Sequence, residues 1–391
     1  MASEAQPGDS ALFEAASPVR SIPTDLPDEL PEAGLALCLS GGGYRAMLFH
    51  VGALWRLNEL GYLLRLARIS SVSGGSITAG VLAKNWGQLN FDGSGVGRGF
   101  GEAVCEPVRK LAGHTIDLWA IWLGIFLPGP VGDRYVGLLK RHAFGDTSLQ
   151  ALPESPRFVI NATNLQSAVL WRFSKPYMRD YRVGEVKTPA VELARAVAAS
   201  GAFPPFLSPV TLKLEASAYT PQNGLDLQQA PFTTRVRLSD GGVYDNLGLE
   251  TAWKRYQTIL ISDGGGHIGA KPAPKVDWLR QSKRVLDVID SQVRALRKRQ
   301  AIEGFQLGVR QGTYWGIRTD IADYGLPDVL PCPHAQTLEL AGTPTRLQKT
   351  PALRQEQLIN WGYAVCDAAM RTYVQPGAPR PSDFPYPRAG V

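Results

Sequence analysis

Leu35-Ala36-Leu37-Cys38-Leu39-Ser40-Gly41-Gly42-Gly43-Tyr44-Arg45-Ala46 opens a segment, Gly34 to Trp86, around which the rest of the 391-residue chain is organised. The apolar run Leu35 to Leu39 has the length and continuity of a strand buried on both faces. The three glycines after it let the backbone turn without Cβ clashes and leave N–H groups free to meet an anion. From Met47 the apolar positions Met47, Val51, Leu54 and Leu57/Leu60 recur every three or four residues, and Gly61 follows, so a helix is predicted. A second strand, Ala67 to Val72, runs into Ser73-Gly74-Gly75-Ser76, and a small-residue helix follows over Ile77 to Lys84. Strand, tight turn and helix with a serine at the apex is the geometry of a nucleophile elbow. Gly74 and Gly75 are the small neighbours such an apex tolerates, and Ser73 is the candidate nucleophile.

The length suits one large α/β domain with insertions, or two domains. Hydrophobic residues make up 44% and charged residues 19%, the balance of a globular chain. Cys38, Cys105, Cys332 and Cys366 are scattered without a C-x-x-C pair, which suggests neither a zinc site nor a disulfide framework. The N-terminus lacks a basic stretch followed by an apolar core, and no run of about twenty apolar residues occurs. A cytoplasmic or peripheral membrane location is therefore expected. The longest apolar stretch, Leu118 to Leu127, holds Trp119 and Trp122 and stops at Pro128. It reads either as a core helix in an insertion or as a lipid-facing anchor.

Residues 1–33 carry seven acids against Arg20 alone, so this acidic, Pro- and Ser-rich leader has a charge of −6. The net charge of the whole chain is +6, leaving +12 on the remainder. A basic body favours anionic partners, of which an anionic membrane surface fits better here than nucleic acid. The leader is expected to be disordered, residues 34–260 to form the catalytic domain, 261–375 a helical or mixed extension packed on it, and 376–391, with five prolines, a disordered or strapped tail.

Further along, Arg157 to Thr163 and Trp171 to Phe173 are strand candidates. Thr188 as N-cap and Pro189 at the first helical position predict a helix running to Ser200-Gly201. Thr234 to Ser239 and Thr258 to Ser262 read as strands, ending at Asp240-Gly241-Gly242 and Asp263-Gly264-Gly265. If the sheet is parallel, both aspartates lie on the ligand-binding edge together with Ser73. Val276 to Glu303 is a long amphipathic helix with Trp278, Val285, Ile289, Val293 and Leu296 on one stripe, which is expected to pack on the domain. A last helix is predicted near Leu353 to Tyr373.

Serine-based ester hydrolysis needs a nucleophile at a crowded turn, a base within reach, and donors aimed at the developing oxyanion. Ser73 meets the first need, and the N–H groups of Gly41, Gly42 and Gly43 meet the third, with Arg45 able to hold the loop or add positive potential. The base is either an imidazole, for which His267 is plausible in chain order, or an aspartate acting directly, for which Asp240 is placed. The spacing Gly41-x-Gly43-x-x-Ala46 also fits a dinucleotide fingerprint, but the acidic residue that would close the second strand is replaced by Ser70-Ser71-Val72-Ser73.

Taken together, the loop Gly41 to Ala46, the elbow Ser71-Val72-Ser73-Gly74-Gly75, Asp240-Gly241-Gly242-Val243-Tyr244-Asp245-Asn246, and the helix end Ala199 to Phe206 resemble the patatin-like phospholipases. Ser71 and Ala46 stand where that family usually has glycine. The resemblance implies a three-layer α/β/α fold with a mostly parallel central sheet and helical insertions, a Ser73–Asp240 dyad without histidine, Gly74, Gly75, Gly241 and Gly242 as supporting residues, and release of fatty acid from phospholipids. A broad-specificity lipase or carboxylesterase, or a non-catalytic lipid-binding protein on the same fold, are the alternatives.

Overall fold

In the computed structural model, which describes residues 31–116, 130–204 and 206–391, strand β1 (Glu32–Leu39) lies near the middle of a ten-stranded sheet. It begins at Glu32, before the expected start of the folded body at residue 34. The Trp119/Trp122 segment and most of the acidic leader lie outside the described residues. After β1 come α1 (Gly43–Glu59), β2 (Leu66–Val72), α2 (Gly74–Lys84), α3 (Glu106–Ala112), α4 (Val131–Leu139), β3 (Arg157–Asn164), β4 (Val169–Phe173), β5 (Tyr177–Asp180) and β6 (Gly184–Lys187). Then follow α5 (Leu193–Ser200), β7 (Val210–Lys213), β8 (Arg235–Asp240), α6 (Gly242–Asp245), α7 (Glu250–Trp253), β9 (Tyr256–Asp263), α8 (Trp278–Gln306), β10 (Gln311–Gly316), α9 (His334–Ala341) and α10 (Ala352–Tyr373).

The main path of the sheet is β10-β9-β1-β2-β3-β4-β5-β6. Alternation along β1 serves two cores, as a doubly covered strand requires. Leu37 and Leu39 join the core containing residues of α1 and α10, while Ala36 and Cys38 face Leu247, Leu249, Ala252 and Ala301 on the other side. Helices on both faces give three layers. Helix α1 is buried over nearly its whole length because α10 packs closely against it. The crossing is backbone to backbone: a Cβ on Gly52 would fall 1.9 Å from the Ile359 carbonyl oxygen, and one on Gly362 equally close to that of Phe49.

The sheet is mixed, where the sequence reading expected it to be mostly parallel. Pairings β10–β9, β9–β1, β1–β2 and β2–β3 are parallel, whereas β4, β5, β6, β7 and β8 enter antiparallel. β3 outruns β2: Val72 pairs with Asn161, and the next residue, Ala162, pairs with Asp240 of β8. The two strands therefore approach along one edge of β3 and meet end to end at their C-termini. Ser73 and Asp240 come together through this antiparallel junction and not through a shared parallel edge.

Helix α5 starts at Leu193, not at the expected Thr188 cap. Thr188 lies just beyond β6 with φ 42°, and its N–H donates to the Pro176 carbonyl. Its left-handed φ is not the extended conformation of an N-cap, so no helix starts there. Strand β10, with no continuous apolar run, was not expected, yet it extends the parallel half of the sheet through residues beyond 300. The Pro-rich tail is strapped onto the body: the buried Asn360 amide donates to the carbonyls of Tyr386 and Gly390, and the Tyr386 ring packs edge-on to Trp55.

A candidate active site

Ser73 occupies the turn between β2 and α2 with φ 50° and ψ −116°, a conformation that L-residues adopt only when their surroundings impose it. The surroundings are two crowded backbones. Gly74 lies so close to the loop after β1 that a Cβ there would stand 2.3 Å from the Gly43 carbonyl oxygen. The Gly75 N–H donates to the Ser40 carbonyl at 3.1 Å, joining the elbow to the glycine loop. On the other side, the Ser73 N–H donates to Ser200 Oγ at 2.9 Å.

Ser200 ends α5, and its carbonyl accepts the Gly241 N–H at 3.0 Å. One residue thus ties the elbow to the aspartate turn. Nothing in the sequence distinguished Ser200 beyond its place in the Ala199 to Phe206 motif. The Asp240 backbone N–H donates to the Ala202 carbonyl at 3.0 Å, and the Thr163 hydroxyl donates to the Asp240 carbonyl at 2.8 Å. So fixed, the Asp240 carboxylate accepts the Gly242 N–H at 2.7 Å, and the Ser73 side chain acts on it as a hydrogen-bonding neighbour that lowers its pKa. Burial pushes its pKa up from 3.8 to about 7, with Asp290 of α8 adding to the rise and the bonds from Gly242 and Ser73 opposing it. A carboxylate in that range can accept a proton near neutrality.

Gly42 (φ 148°) caps α1, a backbone conformation for which glycine is suited. The first N–H groups of a helix have no acceptor within it. Here the Gly41 N–H is taken by the Asn246 carbonyl at 3.0 Å and the Tyr44 N–H by the Arg346 carbonyl, also at 3.0 Å. Gly41 is accordingly corrected from an oxyanion donor to a packing residue: a Cβ on it would meet Asn246 Oδ1 at 2.2 Å and the Ser73 Cβ at 3.2 Å. Gly42 and Gly43 stand between those two occupied donors, with the Gly43 nitrogen 2.9 Å from where a Gly74 Cβ would project.

Arg45 is buried and holds the loop: Nε donates to the Gly264 carbonyl and Nη1 to the Thr343 carbonyl. Burial, with Arg294 nearby, lowers its pKa to about 10, so it stays charged at neutrality. His50 was not assigned a role in the sequence reading. It lies beneath the loop, with Nε2 2.9 Å from the Ser40 carbonyl oxygen and Nδ1 2.8 Å from Ser262 Oγ. Burial depresses its pKa to about 4, which keeps it neutral.

Asp263 ends β9, two strands from β2, or roughly 10 Å at ordinary strand spacing. Its carboxylate accepts the Gly265 N–H and the Tyr314 hydroxyl, both at 2.8 Å. Burial raises its pKa, but Arg294 and these bonds outweigh that and hold it below the ordinary value. His267 shares with Asp263 a cavity of about 690 Å³ between α8 and β10, and neither Ser73 nor Asp240 lines it. Among the described residues no cluster of His, Cys, Asp and Glu could hold a metal ion.

Residues 37–253 match the family model described as "Patatin-like phospholipase". No curated protein matches the chain at a significant level. Human GIVD cytosolic phospholipase A2, in complex with methyl gamma-linolenyl fluorophosphonate, is similar at 16% identity and a TM-score of 0.49, covering 92% of this chain and 60% of that one. Another structure of the same human protein gives 16% and 0.40, with 71% and 50% covered. VipD from Legionella pneumophila gives 16% and 0.35, with 87% and 67%. This chain thus spans 50–60% of the length of the human chains it matches.

Proposed function

The chain belongs to the patatin-like phospholipase family, and from that premise we propose that it is a serine lipid acyl hydrolase of the phospholipase A type. The observation that carries the reading is the meeting of Ser73 with the buried Asp240 carboxylate at the β2–β8 junction, where burial raises the pKa of that carboxylate to about 7 and the Ser73 side chain opposes the rise. In the ground state Asp240 is the acceptor and Ser73 the donor. As Oγ attacks the acyl carbonyl, the proton passes to the carboxylate and negative charge develops on the carbonyl oxygen. The N–H groups of Gly42 and Gly43 are the donors for that charge, and removing one such donor typically costs about 100- to 1,000-fold in turnover. Collapse of the tetrahedral intermediate breaks the ester C–O bond, and protonated Asp240 returns the proton to the leaving alcohol. Water then attacks the acyl-enzyme with Asp240 again as base, releasing fatty acid and restoring Ser73.

The substrate in this reading is a lipid presented at an anionic surface, which the +12 charge of the chain after residue 33 would favour. A fluorophosphonate probe should label Ser73 alone, and Ser73→Ala should abolish both labelling and fatty-acid release from a mixed panel of phospholipids and neutral lipids. Labelling at another serine, or fatty-acid release by the Ser73→Ala protein, would overturn the assignment. Release from neutral lipids alone would replace phospholipase by lipase.

A further inference from the structure

Helix α8 is amphipathic in the reverse of the expected sense. Trp278, Val285, Ile289 and Leu296, at spacings of seven, four and seven, lie along one stripe of its 29 residues, and all four are more than half exposed. Arg294 and Arg297 turn toward the domain, while Arg280, Lys283 and Arg299 stay exposed. Arg297 pairs with Glu250, Arg294 donates to the Gly266 carbonyl, Lys298 lies over the Tyr314 ring at 4.6 Å, and Ala301 on that side is fully buried. The domain thus holds the helix by these polar contacts together with Ala301 and Phe305 near its C-terminal end, and leaves the apolar stripe outward.

The exposed stripe also runs beside the candidate site. Helix α8 packs against α6, the turn immediately after Asp240, and its Asp290 contributes to the raised pKa of that residue. Lys283 stands 5.9 Å from the centre of the Phe203 ring, and Phe203 and Val243, both nearly half exposed, continue the apolar surface toward Asp240. A solvent-facing apolar patch of this kind marks an interaction surface.

We propose that this face of α8, with Phe203 and Val243, docks the protein onto an anionic lipid bilayer so that the Ser73–Asp240 site opens at the membrane surface. The proposal rests on the lipid-hydrolase reading above for the purpose of the docking, though not for its occurrence. Charge selects the occupant. Apart from Arg294, Arg297 and Lys298, which contact the domain, helix α8 carries the exposed Arg280, Lys283 and Arg299, and the exposed Lys271 and Lys275 lie just before it. An apolar stripe bordered by excess positive charge is the pattern that inserts among acyl chains while the basic side chains meet anionic headgroups. Pairing with a second copy would instead bring two such positively charged helices together.

The test uses the full chain carrying Ser73→Ala, so that vesicles are not consumed, with and without Val285→Ser, Ile289→Ser and Leu296→Ser. Flotation is measured with phosphatidylcholine vesicles and with the same vesicles doped with phosphatidylserine, at low and high salt. The Ser73→Ala protein should float with doped vesicles at low salt. The triple serine change should reduce partitioning about 100-fold or more, since each aliphatic side chain transferred to an apolar phase is worth roughly tenfold. With Ser73 intact, the triple variant should hydrolyse a soluble p-nitrophenyl ester as well as wild type does. Equal flotation of the triple variant would overturn the proposal, as would a wild-type dimer in sedimentation that the triple change dissolves. Vesicle binding lost in the triple variant, in a protein with no esterase activity or Ser73 labelling, would support the docking face while sinking the hydrolase reading.

Discussion

Turnover of a soluble ester should follow the ionisation of Asp240, and the burial of that carboxylate fixes where. Its pKa is raised from 3.8 to about 7, chiefly by burial. The carboxylate accepts the serine proton only when ionised, so activity is present above this pKa and lost as pH falls through it. With a pKa of about 7, roughly 90% is ionised at pH 8, about half at pH 7 and about 1% at pH 5, so kcat/KM should fall nearly 100-fold between pH 8 and pH 5. An aspartate of ordinary pKa would still be more than about 90% ionised at pH 5 and would give almost no change.

The assay is initial-rate hydrolysis of a water-soluble p-nitrophenyl ester across that range, with the rate of fluorophosphonate labelling of Ser73 as a substrate-independent readout. Because a histidine base would give a similar limb, the same profile is needed for His267→Ala, which should leave the limb in place, and for Asp240→Asn, which should lower turnover by about 100- to 10,000-fold. Asp290→Asn removes a negative charge that contributes to the high pKa, so it should move the limb toward acid by a fraction of a unit. A limb near pH 4, or one near 7 that disappears in a folded His267→Ala protein, would refute the dyad.

Gly74→Ala places a methyl group 2.3 Å from the Gly43 carbonyl, so the glycine loop must shift away from the nucleophile. Overpacking of this kind costs about 1–3 kcal/mol of stability, and displacing an oxyanion donor costs about 100-fold or more in kcat, to be read by urea melts and by kinetics on the same preparation. Wild-type kcat in that variant would show that the loop donors are not used. Deleting residues 376–391 uncovers the cavity filled by Phe384 and leaves the buried Asn360 amide without its carbonyl partners. A loss of roughly 3 kcal/mol is expected from the exposed aromatic surface and lost bonds, and an unchanged urea midpoint would show that the tail contributes nothing.

The elbow and the glycine loop were legible in the sequence because their backbones demand particular residues. A turn as crowded as that at Ser73 excludes side chains beside it, and Gly74 and Gly75 record the exclusion directly. Long helices were legible from period, and α10 and α8 were found within about three residues of their ends. Strand direction leaves no such record. Arg235 to Asp240 reads the same whether it runs parallel or antiparallel to β3, so the sequence suggested one shared edge for Asp240 and Asp263, whereas β8 enters from the opposite end. Thr188-Pro189 failed for a related reason: the local signal for a helix start is also compatible with the exit from β6, where Thr188 takes a left-handed turn conformation. β10 was invisible because Thr313 and Trp315 are buried while its other positions are Gln, Gly and Tyr.

The same distinction explains α8. Hydrophobic periodicity states that a helix has an apolar stripe, but the partner that covers the stripe is a property of the whole surface. On most helices the covering partner is the domain core, and the expectation for Trp278, Val285, Ile289 and Leu296 followed that rule. Here the inward contacts are made by Arg294, Arg297 and Lys298 with Gly266, Glu250 and Tyr314, and by Ala301 and Phe305 near the C-terminal end, anchors that the stripe's period could not have revealed. A helix held only to pack on its own domain would gain more by burying the apolar stripe and leaving the charges in water. Reversing that arrangement leaves apolar area exposed that an apolar phase would stabilise at about 25 cal/mol per Å² once covered. On the docking proposal, the covering phase is the lipid that also supplies the site with substrate.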